Sequence, residues 1–424
     1  MEEQTENYHN MLHRNRIESC DDIRGLYLED ELWPSYLPCT CGCVYFAVDI
    51  GCSLIKVGHL YNRQCTEQQP RQKPCEKCQQ TSPSETSVTL VSFVVADLDQ
   101  CLSYVIRIQS TVKKKLIVTT LGVGTMKHRQ KIRETLRVNV SEADEFTCFS
   151  SGFHFILSDE ELLNQYSTTP PSDEYDGSLI AYPEEDEIDA DNAVRFPALL
   201  CVAGSTVSFL KVETDGTWNY LHNDSRCGTY FHSLGKLLTG CKSYDELMSL
   251  AGAGNSAHLS VCLDEILTEK YATFNANATT ATTTTTTTSA STNCHPPQHR
   301  HNLCQVKETL PFGRILTDDE LVPEREDLAR ALMNSVVDGL LNVGVLLARE
   351  IKTHTVYYVG SFMNQNHIAR AYLNLMPQIS MHGDWCVRPK FLRHGGYIGV
   401  LGALARSLDT RGNHCQVATE IKPD

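Results

Sequence analysis

The feature that most constrains this chain is a strand–turn–strand unit in its second half. Two apolar, largely β-branched or branched runs, Ala198–Val202 and Val207–Val212, flank the small-residue turn Ala203-Gly204-Ser205-Thr206. Runs of this kind bounded by small residues read as strands, and so short a turn joins them as a hairpin. Asp215-Gly216 marks the next turn, before a strand at Thr217–His222 and a polar loop at Asn223–Thr229. A helix follows to Leu238, and Ser243-Tyr-Asp-Glu246 is a capping-box start for another. The same grammar occurs earlier: a strand at Val44–Ile50, the turn Gly51-Cys52-Ser53, and a strand at Leu54–Leu60. Small-residue turns at strand ends and helix starts are places where backbone N–H groups can face a phosphate; for each one alone, a plain turn is the competing reading.

Repetition of these units, each followed by helices, makes the chain α/β. At 424 residues it is long enough for two lobes. A strand at Leu116–Leu121 runs through Gly122-Val-Gly124 into a basic helix at Met126–Leu136, and a strand at Val356–Val359 ends on Gly360-Ser361-Phe362. Thr317-Asp-Asp-Glu320 reads as a further capping box, ahead of an amphipathic core helix at Glu326–Arg349. The expected organisation is a polar extension over 1–43, an N-terminal α/β lobe over 44–195 with a polar insert at 61–87 and an acidic excursion at 159–193, a C-terminal α/β lobe over 196–410 with a low-complexity insert at 275–305, and a polar tail at 411–424.

A net charge of −15 argues against a general nucleic-acid or anionic-membrane surface, so an anionic substrate needs a local basic site. No stretch is expected to span a membrane, and the acidic, polar start reads as no signal peptide. The 18 cysteines lie largely in apolar runs, as reduced thiols of an intracellular protein do. Cys39, Cys41 and Cys43 with Cys75 and Cys78, and the Cys294–Cys304 tract with His295, His299 and His301, have metal-like composition; their spacing and polar surroundings favour loops, and no metal ligand is assigned.

Taken in order, AVDIGCSLIKV from Ala47, LLTGCKSYDELMSLA from Leu237, EDLARAL from Glu326, VYYVGSF from Val356 and LRHGGYIGVLGAL from Leu392 resemble the eukaryotic-type (type II) pantothenate kinases over about Val44–Leu408. The resemblance implies a two-lobed actin-like, hexokinase-like ATPase fold, a ribonuclease H-like duplication with nucleotide between the lobes. It implies ATP and magnesium as cofactors, pantothenate as substrate, 4'-phosphopantothenate as product at the first step of coenzyme A synthesis, and acyl-coenzyme A as inhibitor. By the same resemblance Glu145 is the base that takes the proton from the pantothenate hydroxyl, and Ser205, Ser208 and Tyr220 stand at substrate positions. Asp49, Gly51, Ser53, Lys56, Gly122, Gly124, Gly204, Gly228, Gly360 and Ser361 stand at nucleotide positions. From its place at a strand end, Asp49 reads equally as a partner for a metal-bound water or magnesium and as a cap on its turn.

The chain departs from that family's pattern inside the phosphate and substrate loops. Cys52, Val123 and Thr206 replace glycines, Val202 an asparagine, and Tyr220 an arginine, while Asn223-Asp-Ser-Arg-Cys-Gly-Thr-Tyr230 replaces a glycine-rich loop in which Arg226 could offset Asp224. Two functions follow from the resemblance: an active kinase, or a catalytically degenerate paralogue that serves as a regulatory or scaffolding subunit. A homodimer, or a heterodimer with a related kinase chain, is expected, in the cytoplasm or the nucleus.

Overall fold

The computed structural model describes residues 31–32, 43–62, 86–157, 196–262, 308–363, 366–375, 387–392 and 394–409. The acidic excursion, the Thr-rich insert with the Cys/His tract after it, the polar tail, and all the candidate zinc cysteines but Cys43 lie outside the described residues. The chain divides into two compact units. One holds the described residues up to Phe153 and those from Gly399 onward; the other runs His154–Ile398.

The first unit opens with β1 (Glu31–Leu32), β2 (Cys43–Ile50), β3 (Leu54–Asn62) and β4 (Thr86–Val94), then α1 (Leu98–Val112), β5 (Lys115–Leu121), α2 (Thr125–Leu136), β6 (Val140–Glu142) and α3 (Glu145–Leu157), whose last turn counts with the second unit. Its sheet has the order β1-β4-β3-β2-β5-β6. β2, β3 and β4 form an antiparallel meander, whereas β5 and β6 run parallel to β2. All eight residues of β2 are buried, which is why it reads as an unbroken apolar run: both faces are covered. Phe46, Val48, Ile55 and Val57 pack on α1 and α2 through Leu102, Val105 and Ile132.

The second unit contains β7 (Ala198–Ala203), β8 (Val207–Val212), β9 (Trp218–Asp224), α4 (Gly228–Thr239), α5 (Tyr244–Ala253), β10 (Val261–Cys262), β11 (Glu308–Leu310), α6 (Arg325–Glu350), β12 (Thr355–Val359), α7 (His367–Leu375) and β13 (Arg388–Phe391). Its main sheet has the order β13-β12-β7-β8-β9, with β7, β8 and β9 antiparallel and β12 and β13 parallel to β7. Numbered within each unit, both sheets therefore read 3-2-1-4-5, β1 being an extra edge strand. This is the ribonuclease H-like order that the actin-like and hexokinase-like ATPases carry twice, and the fold is of that class.

Cys201 and Phe209 anchor the second core against Phe231, Leu247, Leu332, Val336 and Leu340. α5 begins with the expected capping box: Ser243 Oγ accepts the Glu246 N–H at 3.1 Å, and the Glu246 carboxylate accepts the Lys242 N–H at 2.8 Å. The Thr317–Glu320 box starts no helix. Thr317 Oγ1 donates to the Arg314 carbonyl, and α6 begins only at Arg325, after Pro323. By length and composition α6 is apolar enough to cross a membrane, contrary to the sequence expectation; 56% of its most apolar window is buried inside the protein, and it is the central core helix of its unit.

The last helix, α8 (Ile398–Asp409), departs from the expected division at 195/196. From Gly399 on it belongs to the first unit, where it lies against α3 and the sheet face opposite α1 and α2. Glycine makes that approach feasible: a Cβ on Gly58 would strike Val400, and one on Gly402 would strike the Cys148 carbonyl.

Candidate functional site

The sequence-derived site residues fall into two groups, one in each unit. In the first, Asp49 stands near the end of β2, in register with Lys56 on β3 and Leu121 on β5. Lys56 Nζ lies 3.2 Å from Asp49 Oδ2. Asp49 Oδ1 is buried and, among the described residues, has no hydrogen-bond partner. Among the described residues neither Asp49 carboxylate oxygen accepts a backbone N–H, so no hydrogen bond stands behind the competing reading of Asp49 as a turn cap. Two loops close around this carboxylate. The β2–β3 turn is fastened by the Gly51 N–H to the Leu54 carbonyl at 3.0 Å, leaving Cys52 and Ser53 exposed. The β5–α2 turn is fastened by the Gly124 N–H to the Ile50 carbonyl at 2.8 Å. Gly122 has φ +88°, and a Cβ there would lie 2.6 Å from both Asp49 Oδ1 and the Ile50 carbonyl oxygen. Only glycine fits.

Glu145 is the first residue of α3, a helix that periodicity missed. Its signal was present: Asp144 Oδ1 accepts the Thr147 N–H at 2.7 Å and the Thr147 hydroxyl at 2.6 Å, an N-cap written as Asp-x-x-Thr. Burial first, then the negative charge of Asp49, with a smaller push from Asp144, raises the Glu145 carboxyl to about 7; the Lys56 ammonium partly offsets them. A half-buried carboxyl poised near neutrality beside a fixed acid and a fixed amine is suited to proton transfer.

In the second unit the turn after β7 plays the part of the turn after β2. The Phe362 N–H donates to the Ala203 carbonyl at 3.0 Å, as the Gly124 N–H does to that of Ile50. Gly360 has φ +101°, and a Cβ there would fall on the Ala203 carbonyl, as one on Gly122 would on that of Ile50. Two further bonds tie the turn to the start of α4: Gly228 N–H to the Gly204 carbonyl at 3.0 Å, and Thr229 N–H to the Ser205 carbonyl at 3.1 Å. Ser361 Oγ lies 3.7 Å from where a Gly204 Cβ would stand. Gly204, Ser205, Gly228, Gly360 and Ser361 are thus one cradle.

Ser208 and Tyr220 lie apart from that cradle, on the strands. Ser208 is opposite Val202 and Asn223, and Tyr220 is opposite Leu210, so both occupy one sheet face; Ser208 is buried and Tyr220 is 45% exposed. Arg226 offsets Asp224 by pairing with it directly, so its guanidinium is already engaged. Its Nε and Nη2 grip the Asp224 carboxylate at 2.6–3.1 Å, and Asp224 Oδ1 also accepts the Arg226 N–H at 2.9 Å. That grip holds the Asp224 carboxyl below its usual range. The pair borders a cavity of about 80 Å³ walled by Val207, Phe209, Val336 and Leu340.

Residues 45–406 match the family model described as Fumble. Among curated proteins, the chain is 26% identical over 379 residues to 4'-phosphopantetheine phosphatase of Mus musculus, covering 86% of this chain and 41% of that protein. It is 24% identical to pantothenate kinase 1 of Arabidopsis thaliana, covering 87% of each, and 22% identical to the pantothenate kinase of Schizosaccharomyces pombe, covering 85% of this chain and 81% of that protein. The chain thus spans less than half of the mouse relative and most of the other two. Among solved structures it is similar to the activator of 2-hydroxyisocaproyl-CoA dehydratase from Clostridium difficile with bound ADPNP, at 13% identity and a TM-score of 0.42, covering 90% of this chain and 100% of that one.

Proposed function

This chain belongs to the Fumble family, the pantothenate kinases, and on that premise we propose that it transfers the terminal phosphoryl group of ATP to the hydroxyl of pantothenate. The observation that carries the proposal is the Glu145–Asp49–Lys56 group, beside a turn whose Gly122 admits no side chain toward the Asp49 carboxylate. Glu145 accepts the proton of the attacking hydroxyl; its carboxyl, at about 7, is partly ionised at neutral pH and basic enough to hold that proton. Lys56 lowers the cost of that ionisation and keeps Asp49 in place.

A divalent cation fits the residues present. Asp49 Oδ1 is an orphaned, buried carboxylate oxygen, the type of ligand or water acceptor that magnesium takes. Magnesium-ATP, when bound, would supply the electrophilic phosphoryl group; the N–H groups of Gly51 and Gly124 are taken up inside their turns, which leaves those of Cys52, Ser53 and Val123 to meet its phosphates. Ser205 and Ser208 are the hydroxyls we assign to pantothenate, and acyl-coenzyme A is the regulator we expect to compete.

One observation favours a second reading, a weakly catalytic chain that works as a subunit beside an active kinase. Tyr220 carries no charge, and Arg226, the arginine of the adjacent loop, is bound to Asp224. Phosphoryl transfer relies on neutralising developing charge, so loss of an arginine there costs on the order of a thousandfold.

The deciding experiment is phosphopantothenate formation by the purified chain with magnesium-ATP and pantothenate, beside Glu145→Gln. Turnover abolished by Glu145→Gln supports the kinase; turnover unchanged by that substitution removes the base assignment. No turnover by the chain itself, with an active kinase co-purifying, supports the subunit.

A further inference from the structure

Arg370 stands in the first turn of α7, and its side chain reaches back to the turn that follows β12. Its Nε donates to the Met363 carbonyl at 3.0 Å, and the Met363 N–H donates to the Gly360 carbonyl at 3.2 Å. The guanidinium carbon lies 5.5 Å from the centre of the Phe391 ring. Phe391 is the last residue of β13 and pairs with Tyr358, two residues before Gly360, so the cation sits at the carboxyl ends of the parallel strands β12 and β13. In open α/β sheets, ligands bind outside those strand ends. The start of α7 is itself fixed: Asn366 Oδ1 accepts the Ala369 N–H at 3.0 Å, and the Arg370 N–H donates to the Asn366 carbonyl at 3.1 Å.

The position of this side chain is set, but its charge is not used. Among the described residues no carboxylate pairs with Arg370, and its Nη atoms meet no acceptor. Those atoms are not sealed inside the protein, so a ligand can reach them. Desolvation holds the half-buried guanidinium below its usual range, with no neighbouring negative charge to offset it. A purely structural arginine is the competing reading, and α6 shows what that looks like here. Arg325 gives Nε to the Thr239 carbonyl and Nη2 to the Glu246 carboxylate, and Arg330 gives Nε and Nη2 to the carbonyls of Ala251 and Gly252. Fastening Met363 engages Nε alone. It leaves open the Nη1–Nη2 edge, a planar fork whose spacing suits two oxygens of one phosphate. The turn that Arg370 fastens belongs to the cradle of Gly204, Ser205, Gly228, Gly360 and Ser361. Tyr220 brings that unit no charge and Arg226 is bound to Asp224, whereas Arg370 has a cation to offer.

We propose that Arg370 is an anion-binding residue of this cradle, and that its Nη edge takes a phosphate of a bound adenine nucleotide, in the 5' chain or on the ribose. The inference rests on the kinase reading, in which Gly360 and Ser361 stand at nucleotide positions.

Calorimetry with adenosine, magnesium-ATP and adenosine 3',5'-bisphosphate, on the full chain and on Arg370→Gln, tests it. The expected result is that Arg370→Gln binds at least one phosphorylated ligand about 10- to 100-fold more weakly and leaves adenosine unchanged. Weakening of ATP and the bisphosphate together makes the phosphate next to the 5' carbon the partner; weakening of ATP alone makes it one further along the chain, and of the bisphosphate alone the one on the ribose. Arg370→Lys, which keeps the charge without the fork, falls about three- to tenfold for the same ligand and carries the test if Arg370→Gln does not fold, as judged by unfolding midpoints. Adenosine weakened as much as the phosphorylated ligands would mean that Arg370 only shapes the Gly360 turn, and overturns the proposal, as does unchanged binding of all three. A native chain that binds adenosine but gains nothing from either phosphorylated ligand overturns it too. A native chain that binds none of the three overturns the nucleotide reading, and the inference with it.

Discussion

Glu145 is subject to opposing influences whose balance sets its behaviour. Burial and the Asp49 charge raise its carboxyl to about 7, and Lys56 acts against them. If it is the base, kcat/KM rises with pH through about 7 and then levels, and Lys56→Met moves that limb to higher pH because a cation has gone. Glu145→Gln lowers turnover about 10²- to 10⁴-fold. The same residue makes a stability statement. Its carboxyl binds a proton more tightly in the folded state than at the ordinary value of 4.5, so its contribution is complete below about 4.5 and is lost as pH rises through 7. Unfolding midpoints of the native chain should therefore fall over that window more than those of Glu145→Gln. At Asp224 the expected effect is smaller: Asp224→Asn frees the Arg226 guanidinium, and calorimetry should register two- to fivefold tighter ATP, a gain that Arg226→Gln cancels.

Among the elements, the glycine turns set the geometry, and two glycines of the second unit should respond oppositely to alanine. Gly360 combines φ +101° with a backbone carbonyl where its Cβ would be, so Gly360→Ala should cost about 3 kcal/mol or more of stability. Gly339, inside α6, has nothing within 4 Å of that position, so Gly339→Ala should gain about 0.5–1 kcal/mol. Chemical denaturation of the two variants checks both. These turns were legible in the sequence because a glycine between an apolar run and a helix start has few other uses, and the strands around them were legible because both faces are buried. α3 was not, because EFTCFSSGFHFIL has too little polar spacing to display a helical period, and only the Asp144 cap marks its start. The false box at Thr317 failed for the converse reason: the right side chains stood next to no helical stretch, and Pro323 delayed the start of α6. The state of Arg226 was beyond sequence reasoning altogether, since a residue two positions from an Asp can equally turn to a ligand or to that Asp.

At the scale of the whole molecule, the two units are not two consecutive stretches of chain. The chain completes most of the first unit by Phe153, forms the second, and then returns with α8 to close the first. Val400, Leu401, Leu404 and Leu408 of α8 are at most 1% exposed, and the Thr119 hydroxyl lies 2.9 Å from that of Ser407. Burial of four such side chains contributes about 6–12 kcal/mol, as large as the whole stability of an ordinary domain. The first unit should therefore be unable to hold its fold without the end of the chain. In a chain shortened to end at Ile398, hydrogen exchange should show β2, β3 and β5 losing protection while β7, β8 and α6 retain theirs. Gly402→Val tests the same point with every element present, since its side chain is driven into the Cys148 carbonyl of α3, the helix that begins at Glu145. Loss of protection confined to the first unit, together with a turnover defect as large as that of Glu145→Gln, would make the last helix a support for the base. Equal loosening of both units would mean instead that α8 stabilises the fold without any particular bearing on Glu145.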